Sequence, residues 1–95
     1  MCERRNRQKK IVARPIDVIA VFQQGTHPVP HKFKFRDTDG TIKYVRVEQI
    51  FQSKTGSSGN TENILYVCQS HIDGQVRRYE LKYFLKDARW ELYKL

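Results

Sequence analysis

His27 and His31 stand four residues apart, the spacing at which two imidazoles share one helix face and hold a divalent metal. They bracket Pro28 and Pro30, which excludes a helix there. Neither cysteine nor a carboxylate pair lies near enough in sequence to complete four ligands. The two are read as exposed loop histidines, and no metal or other cofactor is expected. Cys68 is the next candidate, as a nucleophile. His71 falls on the opposite parity of a regular strand, so no base accompanies the thiol, and a small thiol between Val67 and Gln69 reads as a core residue. The run TGSSGN, residues 55–60, lacks the lysine and the following helix of a phosphate-binding loop. Asp37 and Asp39 flank a turn, where aspartate serves the backbone. No residue set nominates an enzyme.

Charge is what remains. The chain carries 18 Lys+Arg against 10 Asp+Glu, a net +8. In residues 1–14, Arg4, Arg5, Arg7, Lys9, Lys10 and Arg14 oppose Glu3 alone, a net +5, which leaves +3 on residues 15–95. Like charges at that density resist packing, so residues 1–14 are expected to be a flexible basic tail on a domain spanning 15–95. Within the domain, Lys32, Lys34 and Arg36 form one face of a strand, with Lys43, Arg46, Arg77 and Arg78 nearby in hairpins. Such residues neutralise nucleic-acid phosphates. Tail and strand face together point to a non-enzymatic binding module with nucleic acid, or an acidic protein, as partner. The alternative is a protein-interaction or structural accessory subunit, in which strand lysines serve solubility. No small-molecule ligand is expected.

Period-two alternation dominates the chain and predicts six strands. Ile16–Phe22 is rich in β-branched residues, and the prolines at 28 and 30 then interrupt it. His31–Arg36 alternates Phe33 and Phe35 against three cations. Asp39-Gly40 signals a type I′ hairpin turn into a strand from Ile42 to Gln52, whose apolar parity changes near Glu48 and Gln49 and suggests a bulge. Residues 53–62, SKTGSSGNTE, hold no apolar side chain and read as a flexible loop. Ile64–His71 has two apolar faces, the pattern of a central strand. Asp73-Gly74 repeats the hairpin signal before Gln75–Leu85, and a turn at Lys86-Asp87 leads to Trp90–Leu95. The expected fold is all-β: a six-stranded antiparallel meander rolled into a small barrel or half-barrel, since rolling removes open edges. Phe33, Phe35, Val45, Val47, Tyr66, Leu81 and Trp90 are its expected core.

With 95 residues, 39% of them apolar and 12% aromatic, the chain is a single folded domain. It has no apolar run of 18 residues, so no membrane partner is expected. Two cysteines without a motif favour a reducing, cytoplasmic setting.

The segments Pro15-Ile16-Asp17-Val18, Phe33-Lys34-Phe35-Arg36, residues 44–51 (YVRVEQIF), Tyr79-Glu80-Leu81 and Trp90-Glu91-Leu92-Tyr93 resemble a family of small uncharacterised bacterial all-β domains. Some members of that family are encoded beside Y-family, lesion-bypass DNA polymerases. The resemblance spans about residues 15–95. It implies a compact β domain with an association to DNA repair, and it carries over no catalytic or binding residue. Residues 53–63 are more polar and glycine-rich than the family pattern.

Overall fold

The computed structural model describes residues 9–95. Seven strands follow in chain order: β1 (Ile11–Val21), β2 (Val29–Arg36), β3 (Ile42–Arg46), β4 (Gln49–Ser58), β5 (Thr61–Ile72), β6 (Gln75–Phe84) and β7 (Arg89–Lys94). All pairings are antiparallel, in the spatial order β3-β2-β1-β7-β6-β5-β4. The sheet curls into a half-barrel, as alternation and edge avoidance suggested. The extra strand has a physical origin. The segment expected as one strand, Ile42–Gln52, breaks at Val47-Glu48 into β3 and β4, the two outermost strands of the sheet.

That corner is fully bonded. Val47 N donates to His31 O at 2.8 Å, the last rung on the β2 side, and Gln49 already pairs with Gln69 of β5. Between them, Glu48 N donates to Ser70 Oγ at 3.2 Å, and Ser70 Oγ lies 2.6 Å from Tyr79 OH. Ser70 and Tyr79 are fully buried. A turned chain leaves amides without ladder partners, and a buried one costs as much as a lost hydrogen bond. The serine and tyrosine hydroxyls remove that cost.

Residues 53–62 are not a flexible loop. They form most of β4, a hairpin turn at Gly59-Asn60 and the start of β5, with pairs from Ser53↔Tyr66 to Ser58↔Thr61. An edge strand is held by main-chain bonds to its neighbour and needs no apolar side chain. The expected basic tail, residues 1–14, falls partly within the described chain. Residues 1–8 lie outside the described residues, whereas Ile11–Arg14 belong to β1, and Lys10 and Leu95 exchange both backbone hydrogen bonds at 3.0 Å. β1 pairs with β7 through residues 11–16 and with β2 through 17–21, a stagger that coils the sheet. β2 starts two residues early, at Val29, because a bulge opposite Ile19/Ala20 accommodates Pro30.

The two Asp-Gly turns differ. Asp73 and Gly74 both take positive φ, 55° and 78°, as a type I′ turn requires. At the first hairpin only Gly40 does, at 88°; Gly40 N donates to Asp37 O at 3.0 Å, so the turn starts earlier and Asp39 instead accepts from Thr41 N at 3.0 Å.

The concave side holds Phe33, Phe35, Val45, Ile64, Tyr66, Cys68, Tyr79, Leu81, Tyr83, Trp90 and Leu92, with Val47 only partly buried at the corner. Tyr83 and Trp90 rings lie 4.8 Å apart, and Tyr66 and Trp90 5.5 Å. Tyr66 OH donates to Pro28 O at 2.5 Å, tying the β1–β2 connection over the core. Among the described residues no buried side-chain polar atom lacks a partner. Tyr79→Phe should therefore cost about 1–2 kcal/mol, and thermal unfolding should show a Tm lowered by roughly 5–15 °C. An unchanged Tm would mean that the hydroxyl does not support the corner.

Candidate nucleic-acid interface

Alternation places every second residue of β1, β2 and β3 on the convex side, and register sorts those residues into rows. Lys34 pairs with Asp17 on one side and Tyr44 on the other. Lys32 pairs with Ile19 and Arg46, and Arg36 with Ile42. The core residues Phe33, Phe35 and Val45 alternate with them and hold the three strands from beneath. An open groove of about 580 Å³ runs over this face, lined by Asp17, Ile19, Lys32, Lys34, Tyr44 and Arg46. Tyr44 is 79% exposed and Ile19 62%.

Most of the charge of this face is unspent; Arg46 acts on a carboxylate, adding at a distance to the His71 contacts that hold Glu48 low. Among the described residues Lys32, Lys34 and Arg46 form no ion pair. Arg36 donates from Nη1 to Gly40 O at 2.9 Å, a neutral acceptor that leaves its charge in place. Asp17 is the one acidic side chain lining the groove.

The other basic candidates are not gathered here. Arg4, Arg5 and Arg7 lie outside the described residues. Lys9 pairs with the buried Glu80 at 2.5 Å, and Lys10 is exposed beside Leu95 at the β1–β7 seam. Arg14 donates to Arg36 O. Lys43, on the opposite parity from Lys32 and Lys34, is drawn to Asp73 at 2.6 Å, with Asp37 at 4.0 Å, and the Asp73 hydrogen bond holds its ammonium above the usual lysine range. Arg77 is half-buried opposite Ser70. Arg78 lies over the Phe51 ring at 4.3 Å and bonds Gln69 Oε1 at 3.3 Å. Lys32, Lys34, Arg36 and Arg46 are thus the subset that the fold assembles. Tyr44, Ile42 and Ile19 complete the face and were not singled out from the sequence. The signal was present: if Val45 points inward, then Ile42, Tyr44 and Arg46 do not share its side.

Most of the remaining chemistry-bearing groups are engaged in structure. His27 Nδ1 lies 3.2 Å from Ser53 Oγ, His31 is an exposed residue of β2, and His71 Nδ1 is 2.8 Å from Glu48 Oε1. Among the described residues no group of three His, Cys, Asp or Glu is placed to hold a metal ion. Nor is any helix long and apolar enough to cross a membrane. Cys68 is fully buried, and desolvation pushes its thiol up to about 12. Burial likewise raises the phenols of Tyr66 and Tyr79. Glu48 is held below the usual glutamate range, first by the His71 side chain and then by His71 N, which donates to Oε2 at 3.1 Å.

No protein-family model, curated protein or solved structure matches the chain.

Two outcomes follow from these environments. In a Cys2→Ser background, Ellman's reagent should find Cys68 unreactive in the folded protein near pH 8 and fully reactive in guanidinium; rapid native labelling would contradict its burial. Glu48 has a lower pKa folded than unfolded. Its contribution to stability is therefore present above the ordinary glutamate pKa of about 4.3 and is lost as pH falls through the folded value. Glu48→Gln should flatten the decline of Tm with acidification below about pH 5, and parallel curves for the two proteins would refute the assignment.

Proposed function

We propose that this domain is a non-enzymatic nucleic-acid-binding module whose convex β1–β2–β3 face neutralises phosphates with Lys32, Lys34, Arg36 and Arg46. One observation carries the reading: three cations that, among the described residues, form no ion pair share a groove with an exposed tyrosine. Ammonium and guanidinium groups already paired to carboxylates, such as Lys9 and Lys43, have less to offer a polyanion. Unpaired ones release phosphate counterions on binding. Arg4, Arg5 and Arg7 add long-range attraction. The resemblance to domains encoded beside lesion-bypass polymerases extends the proposal to a DNA-repair setting, and the buried free thiol suits a reducing, cytoplasmic compartment.

A second reading, a protein-interaction subunit, draws on β4, which ends the sheet with a free edge along ten residues. Strand addition there would leave the cationic face unused.

The readings separate by fluorescence anisotropy with labelled oligonucleotides over a salt series. The logarithm of the binding constant should fall linearly with that of salt, and alanine at Lys32, Lys34 or Arg46 should each lower the slope by about one. A separate Arg4→Ala/Arg5→Ala/Arg7→Ala variant reads the N-terminal share. No binding at low salt, or binding indifferent to all three face substitutions, would end the reading.

A further inference from the structure

Aromatic rings outside the central core are treated in three ways among the described residues: Phe22 packs edge-on against Tyr83 at 5.7 Å, others carry a cation, and one is bare. On β4, β6 and β7 each such ring carries a cation: Arg78 lies 4.3 Å from the centroid of Phe51, Lys82 3.7 Å from Tyr93, and Arg89 4.1 Å from Phe84. Tyr44 differs. It is the most exposed large apolar side chain among the described residues, and within them no ring or cation covers it. Yet cationic neighbours stand beside it. Lys34 is its cross-strand partner, and Arg46 is two residues along β3 on the same face. Those offsets correspond to roughly 5 and 7 Å of sheet.

Building on the nucleic-acid reading, we infer that the ligand is a single strand, with one base stacked on Tyr44 and its backbone led past Lys34, Arg46 and Lys32. An uncovered ring among uncovered cations offers the two contacts that a flexible strand supplies together, a π face and a phosphate about one nucleotide apart. A duplex supplies only the second, because its base faces are stacked against each other and freeing one costs a few kcal/mol. Tyr44 also faces solvent from an outermost strand, so a base reaches its ring from the convex side. Asp17, at the far end of the Lys34 row, repels phosphate and keeps the backbone over β2 and β3.

The test uses the full chain with unstructured oligo(dT) and oligo(U) and a duplex of matching length. Single strands should bind at least about tenfold more tightly than duplex at equal salt. Tyr44→Ala should weaken single-strand binding by about 5- to 100-fold while leaving the salt slope unchanged, because the ring carries no charge. Tyr44→Phe should retain binding. Tyr44→Trp should show indole fluorescence quenched by single strands, against a buried Trp90 that stays constant. Tyr44 is exposed, so equal Tm values for the variants confirm intact folding. Duplex binding equal to single-strand binding, or a silent Tyr44→Ala, overturns the single-strand inference and leaves the broader reading standing. Failure to bind any nucleic acid at low salt overturns both. So does displacement of the oligonucleotide by a poly-glutamate peptide at equal charge concentration, which would identify an acidic protein as partner.

Discussion

The half-barrel depends on one turn of the main chain, at Val47-Glu48. There the longest extended stretch of the molecule leaves one wing of the sheet and enters the other. Both amides of the corner are caught: His31 O takes Val47 N and Ser70 Oγ takes Glu48 N, while the Glu48 carboxylate accepts from His71 N of β5 and pins the corner to it. Because β3 and β4 are the two outermost strands, this corner is also where the open sides of the sheet come together. It works with the stagger of β1 between β7 and β2, which coils the sheet, to keep the aromatic side covered.

Closure at the corner produces the division of labour between the two sides. Tyr66, Tyr79, Tyr83 and Trp90 converge with Phe33 and Phe35 on the inside, and a small domain gains much of its stability from so few large rings. The same alternation that sends Phe33, Phe35 and Val45 inward sends Lys32, Lys34, Tyr44 and Arg46 outward. Outer-face chemistry is thus carried on rigid strands, which hold side chains to a more exact spacing than loops do. Lys43 shows how strict the sorting is. One step out of phase with its basic neighbours, it is committed to Asp73.

Most of this architecture was legible in the chain wherever burial wrote it. Phe33, Phe35, Tyr66, Leu81 and Trp90 declare their faces through period-two spacing, and Asp73-Gly74 declares its turn through the φ values it must adopt. Elements held by main-chain bonds alone were not legible. Residues 53–58 look like a loop because an edge strand needs nothing apolar, and Ile11–Arg14 look like a tail because the cations just before them mask a short apolar run that pairs to β7. The corner itself left only a change of apolar parity, which reads equally as a bulge. For the candidate face, the cations of β2 and Arg46 stood out by type. Tyr44 did not, because an aromatic residue in a β pattern is ordinarily core, and its outward side follows only from its parity against Val45.

One rung carries a mechanical meaning. Lys10 and Leu95 form the final pair of the β1–β7 ladder, so both ends of the described chain leave the sheet at the same end of the same seam. Tension applied between them does not load the ladder in shear, with all its bonds resisting together. It opens the seam as a zipper opens, from Lys10 and Leu95 towards Ile16 and Trp90, one bonded pair at a time. Under a pull from its ends, a fold whose closure is secured far away at Val47-Glu48 is therefore weak along β1 and β7, and the corner is reached last.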